Sequence, residues 1–322
     1  MYILKKTTLA ELKRVQSTIK KELTSEKIIQ EIYEYIFSAE GKKTRALLCL
    51  LSSKSSEIKP NNRINLASII ELLHTATLVH DDVVDESERR RGTRSVNQVW
   101  TNSYSVLMGD FIYSKAFILM VKLGIPSILD ELAKATNDIA RGEIIQLELF
   151  EKGQLIELKD LLKVSYLKTG RLFEASAKTG AMLACRSDDE IKTFGLLGKA
   201  LGIAFQIQDD ILDYETLKLD IGKPALKDFK EGKITFPLYF AIQQANTKDK
   251  NFIMSQLGQS KISKNNQYKI YKLIQNKKTQ YEINTLLDRY TNETLKHLDK
   301  LKHHACYNEI QDLITFSKIR KI

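Results

Sequence analysis

Helix breakers are scarce in this chain. Its 322 residues contain 14 glycines and 4 prolines, and no stretch shows several alternating strands bounded by turn pairs, so β architectures have little to be built from. Cysteine is scarce too. Cys49, Cys185 and Cys306 are widely spaced, which argues against a disulfide framework and fits a reducing compartment. The N-terminal Met1-Tyr2-Ile3-Leu4-Lys5-Lys6 has too short an apolar run for a signal peptide. The most apolar later stretch, Phe194 to Ile207, is interrupted by Lys199 and falls short of a membrane span. A cytoplasmic protein is expected. The net charge is +10, with lysines scattered and densest near Lys261–Lys278 and at the C-terminus. No basic stripe interleaved with aromatics and no known nucleic-acid module accompanies it, so nucleic acid is not an expected partner. A solvated basic face accounts for the charge, which is also compatible with anionic substrates or an anionic membrane surface.

What remains is mostly Leu, Ile, Lys, Glu and Ala, with apolar residues at helical spacing through most segments. The expected fold class is all-α, a single-domain helical bundle spanning residues 1–322. Two amphipathic helices are expected over 7–38. A basic turn, Glu40-Gly41-Lys42-Lys43-Thr44-Arg45, precedes an apolar helix to about Ser55. Pro60-Asn61-Asn62 reads as a break before a long helix from about Ile64. Arg89-Arg90-Arg91-Gly92-Thr93 reads as a basic loop or helix end. Helices are expected at about 102–123, 127–151, 157–185 and 188–213, and shorter, more polar ones over 234–319. Between them, Asp220 to Lys233 is the most polar connection and reads as a loop that carries function.

The informative feature is an acidic pentad that occurs twice, as Asp81-Asp82-Val83-Val84-Asp85 and Asp209-Asp210-Ile211-Leu212-Asp213. Each lies at the end of an apolar helical run. The first and last Asp of a pentad are one turn apart and share a face, with the middle Asp beside them. Carboxylates crowded this way repel one another unless a cation lies between them, and the negative end of a helix dipole is a poor place for acids otherwise. Hard oxygen ligands with no Cys or His in the pentads suit Mg²⁺ better than zinc, and Mg²⁺ usually brings phosphate. Facing each other across a bundle cavity, the two trios would grip metal ions that make a diphosphate a good leaving group. An apolar shaft below suggests a substrate with an anionic head and a hydrocarbon tail.

The residues carry a resemblance. Glu71 through His74, His80 and the first pentad to Arg90-Arg91-Gly92 resembles the first aspartate-rich region of the trans-type polyprenyl diphosphate synthases, and Gly202 through Phe205, Gln206, Gln208 and the second pentad resembles the second. Gly41-Lys42-Lys43-Thr44-Arg45 resembles the family's basic turn. Met108-Gly109-Asp110-Phe111, Gly142-Glu143-Ile144-Ile145-Gln146, Lys168-Thr169-Gly170 and Glu231-Gly232-Lys233-Ile234-Thr235-Phe236-Pro237 match in order. The motifs reach about residue 240. What the resemblance implies is a class I isoprenoid synthase-like bundle around a central cavity, a homodimer, and prenyl transfer from an allylic diphosphate to isopentenyl diphosphate. It assigns Mg²⁺ to Asp81, Asp82, Asp85, Asp209, Asp210 and Asp213. Arg90, Lys168 and Lys233 would clamp the allylic diphosphate, while Lys42, Arg45, His74 and Arg91 would hold isopentenyl diphosphate. Thr169 and Gln206 would face the reacting carbons. Lys223 could be a diphosphate ligand or a loop cation.

The chain departs from the family pattern at Glu40, Ala46, Gly170 and Leu226, none of them in a pentad. Product length is expected to depend on the helix below Asp81. Thr77 and Ala76, one turn deeper, are small where short-chain members carry a bulky aromatic, and Leu73 with Leu72 forms the next turn. The expected product is hexaprenyl to octaprenyl diphosphate, serving quinone side chains. Ala76→Phe is expected to shorten it. At most peripheral membrane contact would accompany product release.

Blander readings exist for single residues. Arg89-Arg90-Arg91 could be counter-ions to Glu86 and Glu88, His74 a satisfied core histidine, and His80 a neighbour of the site. His303-His304-x-Cys306 has metal-binding spacing but no partner pair nearby, and reads as a polar tail; Arg320 and Lys321 read as a frayed end. Among whole-chain alternatives, a terpene cyclase would replace one pentad with an Asn/Ser/Glu triad. A non-catalytic subunit of a heteromeric synthase would lose pentad acids or clamps. A carboxylate-bundle metal protein would carry Glu-x-x-His pairs. A short-chain geranylgeranyl or farnesyl diphosphate synthase is the alternative within the family.

Overall fold

The computed structural model describes residues 5–38, 41–55, 57–90, 92–151, 156–215 and 226–319. They form an all-α bundle in which the one sheet among the described residues is a two-residue hairpin, β1 (Arg89–Arg90) with β2 (Thr93–Arg94), antiparallel. The helices are α1 (Lys6–Glu22), α2 (Lys27–Ser38), α3 (Thr44–Ser52), α4 (Pro60–Val84), α5 (Val96–Val99), α6 (Asn102–Leu123), α7 (Pro126–Glu151) and α8 (Leu158–Ser165), then α9 (Arg171–Leu183), α10 (Asp188–Glu215), α11 (Lys227–Lys230), α12 (Phe236–Gln244), α13 (Thr247–Gln256), α14 (Lys264–Ile274), α15 (Lys277–Asp299) and α16 (Tyr307–Ile319).

The central pair are α4 and α10. Both are buried around most of their circumference for much of their length, as befits helices with apolar residues on every face. Pro60 does not break the chain: it occupies the first turn of α4, where its missing N–H would go unbonded anyway and its fixed φ suits a helix start. Around α4 pack α1, α3 and α6, sharing a core of Leu66, Ile69, Ile70, Leu73 and Ala76 with Met108, Ile112 and Ala116. Around α10 pack α9, α15 and α16, with Phe173, Phe194, Leu197 and Leu201 at the centre of that cluster.

Helix α10 approaches α9 so closely that side chains do not fit between them. A Cβ on Gly198 would lie 2.5 Å from the Phe173 carbonyl oxygen, and one on Gly202 would lie 2.6 Å from the Gly170 Cα. Helix α9 is in turn bolted to α7. Arg171, 7% exposed in its side chain, binds Glu131 at 2.7 Å and Asp138 at 2.9 Å, and Lys178 binds the other Glu131 oxygen at 2.6 Å. At the C-terminal end, Glu309 accepts from Thr8 at 2.7 Å and from Lys54 at 2.9 Å, tying α16 to α1 and to the segment after α3. No helix among the described residues is long and apolar enough to cross a membrane.

Where one helix was expected over 157–185, a five-residue π-helical turn, Tyr166–Gly170, joins α8 to α9. The wider turn re-aims the side chains that follow, and such turns recur at functional sites.

Candidate active site

The C-terminal ends of α4 and α10 face each other across a cavity of about 650 Å³. Asp81 and Asp85 line it from α4, Asp209 and Asp210 from α10, and Lys168, Lys233, Arg90, Lys42, Arg45 and His74 also border it. Two pentad acids are placed differently. Asp82, 2% exposed, turns away from the cavity and accepts from Arg90 Nε at 2.8 Å, and Asp213 is not among the lining residues. The face of three carboxylates expected on each wall is therefore a face of two. On α4 the reason is helical geometry, the second Asp lying about 100° around the helix from the first; on α10 the second Asp does line the cavity and Asp213 does not. At Asp82 that direction leads into a smaller pocket under β1, between α4 and the N-terminal helices.

The carboxylates that do meet are uncomfortable. Burial, reinforced by Glu143, raises Asp81 to about 7, and Lys168 and Arg90 offset only part of this. Asp210 is pushed well above the usual carboxylate range, first by burial and then by Asp228. It keeps one oxygen on the Gln206 amide at 2.7 Å and the other on the Phe236 backbone N–H at 3.2 Å. Such all-oxygen ligand sets, strained by desolvation and mutual repulsion, suit a hard divalent cation. Asp85, Glu231 and Lys233 join the two walls. Burial acts to lower the Lys233 ammonium, yet Asp85 at 2.8 Å and Glu231 at 2.9 Å outweigh it and hold its pKa above the ordinary lysine value.

The π turn sets the third wall. It brings Lys168 onto Glu143 of α7 at 2.6 Å and onto Gln146, and points the Thr169 hydroxyl to Gln206 Oε1 at 2.7 Å. Thr169, Gln206 and Asp210 thus form one hydrogen-bonded chain, in which Thr169 donates to Gln206 and Gln206 donates to Asp210. Glu143 and Gln146 lay in a matched motif but were given no role from sequence. Their spacing of three on a helix, facing the π turn, is the signal that explains why that motif is there.

The basic turn enters from the start of α3. Arg45 stacks on Phe173, 4.7 Å from its centroid, and lies 3.0 Å from His74 Nε2. A guanidinium has only donors, so His74 Nε2 accepts and its proton is on Nδ1. Lys42 lies over Phe316 of α16 at 5.7 Å. Below the charged rim the walls are Leu78, Ile139, Leu161, Val164, Leu172 and Phe205, with Thr77 among them. Of the three residues expected to govern chain length, only Thr77 lines this cavity. Ala76 and Leu73 are buried, at 0% and 1% exposure, in the core shared with α6. Arg91 and Lys223 lie outside the described residues, as do the Gly222-Lys223-Pro224 loop, Arg320 and Lys321.

Comparison with known proteins fits this geometry. Residues 26–274 match the sequence profile of the polyprenyl synthetase family. The chain is 38% identical over 253 residues to the octaprenyl diphosphate synthase of Escherichia coli (strain K12), covering 78% of each chain. Its structure superposes with TM-score 0.90 on a decaprenyl diphosphate synthase from Rhodobacter capsulatus, at 31% identity and covering 98% of each chain. With TM-score 0.91 it also superposes on a polyprenyl synthase from Caulobacter crescentus CB15 complexed with calcium and isoprenyl diphosphate, at 30% identity and covering 98% of this chain and 96% of that one. An all-α bundle with its two aspartate-rich helix ends across one cavity, matched in sequence and in structure over most of its length, places this chain in the polyprenyl synthetase family, as a prenyltransferase.

Proposed function

We infer that this protein is a Mg²⁺-dependent trans-prenyltransferase that condenses an allylic diphosphate with successive isopentenyl diphosphate units into a hexaprenyl-to-octaprenyl diphosphate. The observation that carries this reading is the pair of facing acidic helix ends above an apolar floor, with cations ranged around the rim. Asp81, Asp85, Asp209 and Asp210, which line the cavity, would hold Mg²⁺ with Asp213 in support, and Asp82 orients Arg90. When bound, the metal supplies positive charge to the departing diphosphate.

The chain's own residues do the rest. Lys168, Lys233 and Arg90 grip the allylic diphosphate, and Lys223 from its loop is a further candidate. Lys42, Arg45, His74 and Arg91 hold isopentenyl diphosphate beside it. The allylic C–O bond breaks with its electron pair leaving on diphosphate. The double bond of isopentenyl diphosphate supplies the electrons of the new C–C bond, and the released diphosphate takes the proton whose loss restores an alkene. The Thr169 and Gln206 oxygens, fixed by the chain that ends on Asp210, present negative dipole ends to the transient positive carbon. The apolar walls exclude the water that would quench it.

The growing tail passes Thr77, which lines the cavity, with Ala76 in the core behind it. The absence of an aromatic at either position supports a long product, used for quinone side chains. Helix α6 supports a homodimer: Tyr104, Leu107, Ile118 and Val121, a helical stripe on its face away from α4, are 45%, 65%, 47% and 68% exposed. The charge and the greasy product together support a peripheral membrane encounter at release, in the cytoplasm.

The test is incubation of purified protein with farnesyl diphosphate, labelled isopentenyl diphosphate and Mg²⁺, followed by chromatography of the extracted product. Label in C30–C40 chains is expected. A product that stops at geranylgeranyl length would replace the long-chain reading, and no incorporation with any divalent metal would leave only the subunit reading.

A further inference from the structure

We propose that Glu190, His303 and His304 form a second metal site, for a borderline transition ion such as Zn²⁺, distinct in place and chemistry from the aspartate cavity. In sequence the two histidines read as a polar tail because no partner lies near them in the chain. The fold supplies one: the turn between α15 and α16 packs against the start of α10, and both ring Nε2 atoms converge on Glu190 Oε1, at 2.9 Å from His303 and 2.7 Å from His304. One ligand atom from each of the three lies within 4.8 Å of the others.

The arrangement has the parts of a built site. His304 is buried, with 3% of its side chain exposed, and its ring meets Phe194 edge-on at 5.3 Å. Phe194 is one turn beyond Glu190 on α10, so the same helix face supplies a ligand and the wall that orients the buried ring. The second oxygen of Glu190 accepts from the Ser187 N–H at 3.2 Å and from its hydroxyl at 3.1 Å, which fixes the carboxylate and leaves Oε1 for the imidazoles. His303 is 65% exposed, so its ring has room to adjust toward an ion. A tetrahedral ion with bonds near 2.0–2.2 Å places its ligands roughly 3.3 Å apart, so the two His–Glu spacings need to open by about half an ångström.

Two imidazoles and one carboxylate favour Zn²⁺ and its neighbours over Mg²⁺. The site is also remote from the pentad: Glu190 and Asp209 are on the same helix about 28 Å apart. Its role is mechanical. It would staple the turn that leads into α16, the helix whose Phe316 supports Lys42 of the basic turn.

The experiment strips the protein with chelator, restores millimolar Mg²⁺, and titrates Zn²⁺ calorimetrically into wild type and His303→Ala. Wild type is expected to bind one Zn²⁺ with a rise in its thermal midpoint. His303→Ala, at an exposed position, is expected to weaken that step by more than about 100-fold, with its midpoint in chelator and its Mg²⁺-supported prenyl transfer unchanged. Absence of a Zn²⁺ step in wild type, or an identical step in the variant, overturns the proposal. Should the variant melt early in chelator, the Co²⁺-loaded wild type decides. Intense visible absorption of a four- or five-coordinate site supports the proposal, and only the weak bands of six-coordinate cobalt overturn it.

Discussion

Asp81→Asn should make the metal-free protein more stable at pH 8 while abolishing its function. The Asp81 carboxyl titrates near 3.8 in a free chain and about 7 here, mainly because burial disfavours its charged form. A raised carboxyl pKa means that the folded state binds the proton more tightly than the unfolded state. Its contribution to stability is therefore full below about pH 4, declines as pH rises from about 4 to about 7, and stays lost above. Sealed from water, such a group would cost roughly 4 kcal/mol; Asp81 keeps part of its surface in solvent, which discounts this to about 1–3 kcal/mol. Asparagine keeps the shape without the charge, so denaturant unfolding in chelator should show the variant more stable by about that amount at pH 8, and by little at pH 4.

The same proton reports on metal binding, because the ligand must be ionised. Mg²⁺ should displace the Asp81 proton where that carboxyl is protonated, so more proton is released at pH 6 than at pH 8. Calorimetry of the wild type in two buffers of different ionisation enthalpy, repeated at each pH, measures this. A variant no more stable than wild type at pH 8, or a proton release on Mg²⁺ binding that does not fall between pH 6 and 8, would refute the reasoning.

Other substitutions probe other parts of the account. Thr77→Phe should shorten the main product, measured by reverse-phase chromatography, because an aromatic ring there projects into the cavity one turn, about 5.4 Å, below Asp81. It is a cleaner probe than Ala76→Phe, which must also overpack the core at a position with 0% exposure. Lys233→Met should raise KM for the allylic diphosphate by about tenfold or more, and Lys233→Arg should recover part of it; unchanged KM would remove Lys233 from the clamp. Gly198→Ala should cost about 1–3 kcal/mol, read as a lower thermal midpoint, because its Cβ would meet the backbone of α9. An unchanged midpoint would mean that α9 and α10 separate freely.

The sequence made most of the helices readable because apolar residues recur every three to four positions and few breakers interrupt them. The pentads were readable as a site because helix ends carrying three acids need a reason. Three features were hidden. The start of α4 reads as a break because a proline that stops one helix is equally suited to begin the next. The π turn at Tyr166–Gly170 leaves no signature in the hydrophobic period, since it adds one residue to a turn and the pattern resumes in α9. The division of labour within each pentad depends on what lies behind the helix: Asp82 is drawn to Arg90 by a hairpin whose return the sequence does not announce. The partner of the His303–His304 pair is hidden for a related reason, since Glu190 lies 113 residues away and only the packing of α15 and α16 on α10 brings it close.

The central claim is that the two aspartate-rich helix ends share metal around one diphosphate. A crystal structure with inorganic diphosphate and Mn²⁺, its ions located by anomalous scattering, tests it most directly. The account predicts ions between Asp81 and Asp85 on one side and Asp209 on the other, bridged by a single diphosphate that Lys168 and Lys233 also contact. Ions confined to one wall, or a diphosphate bound away from both, would contradict it.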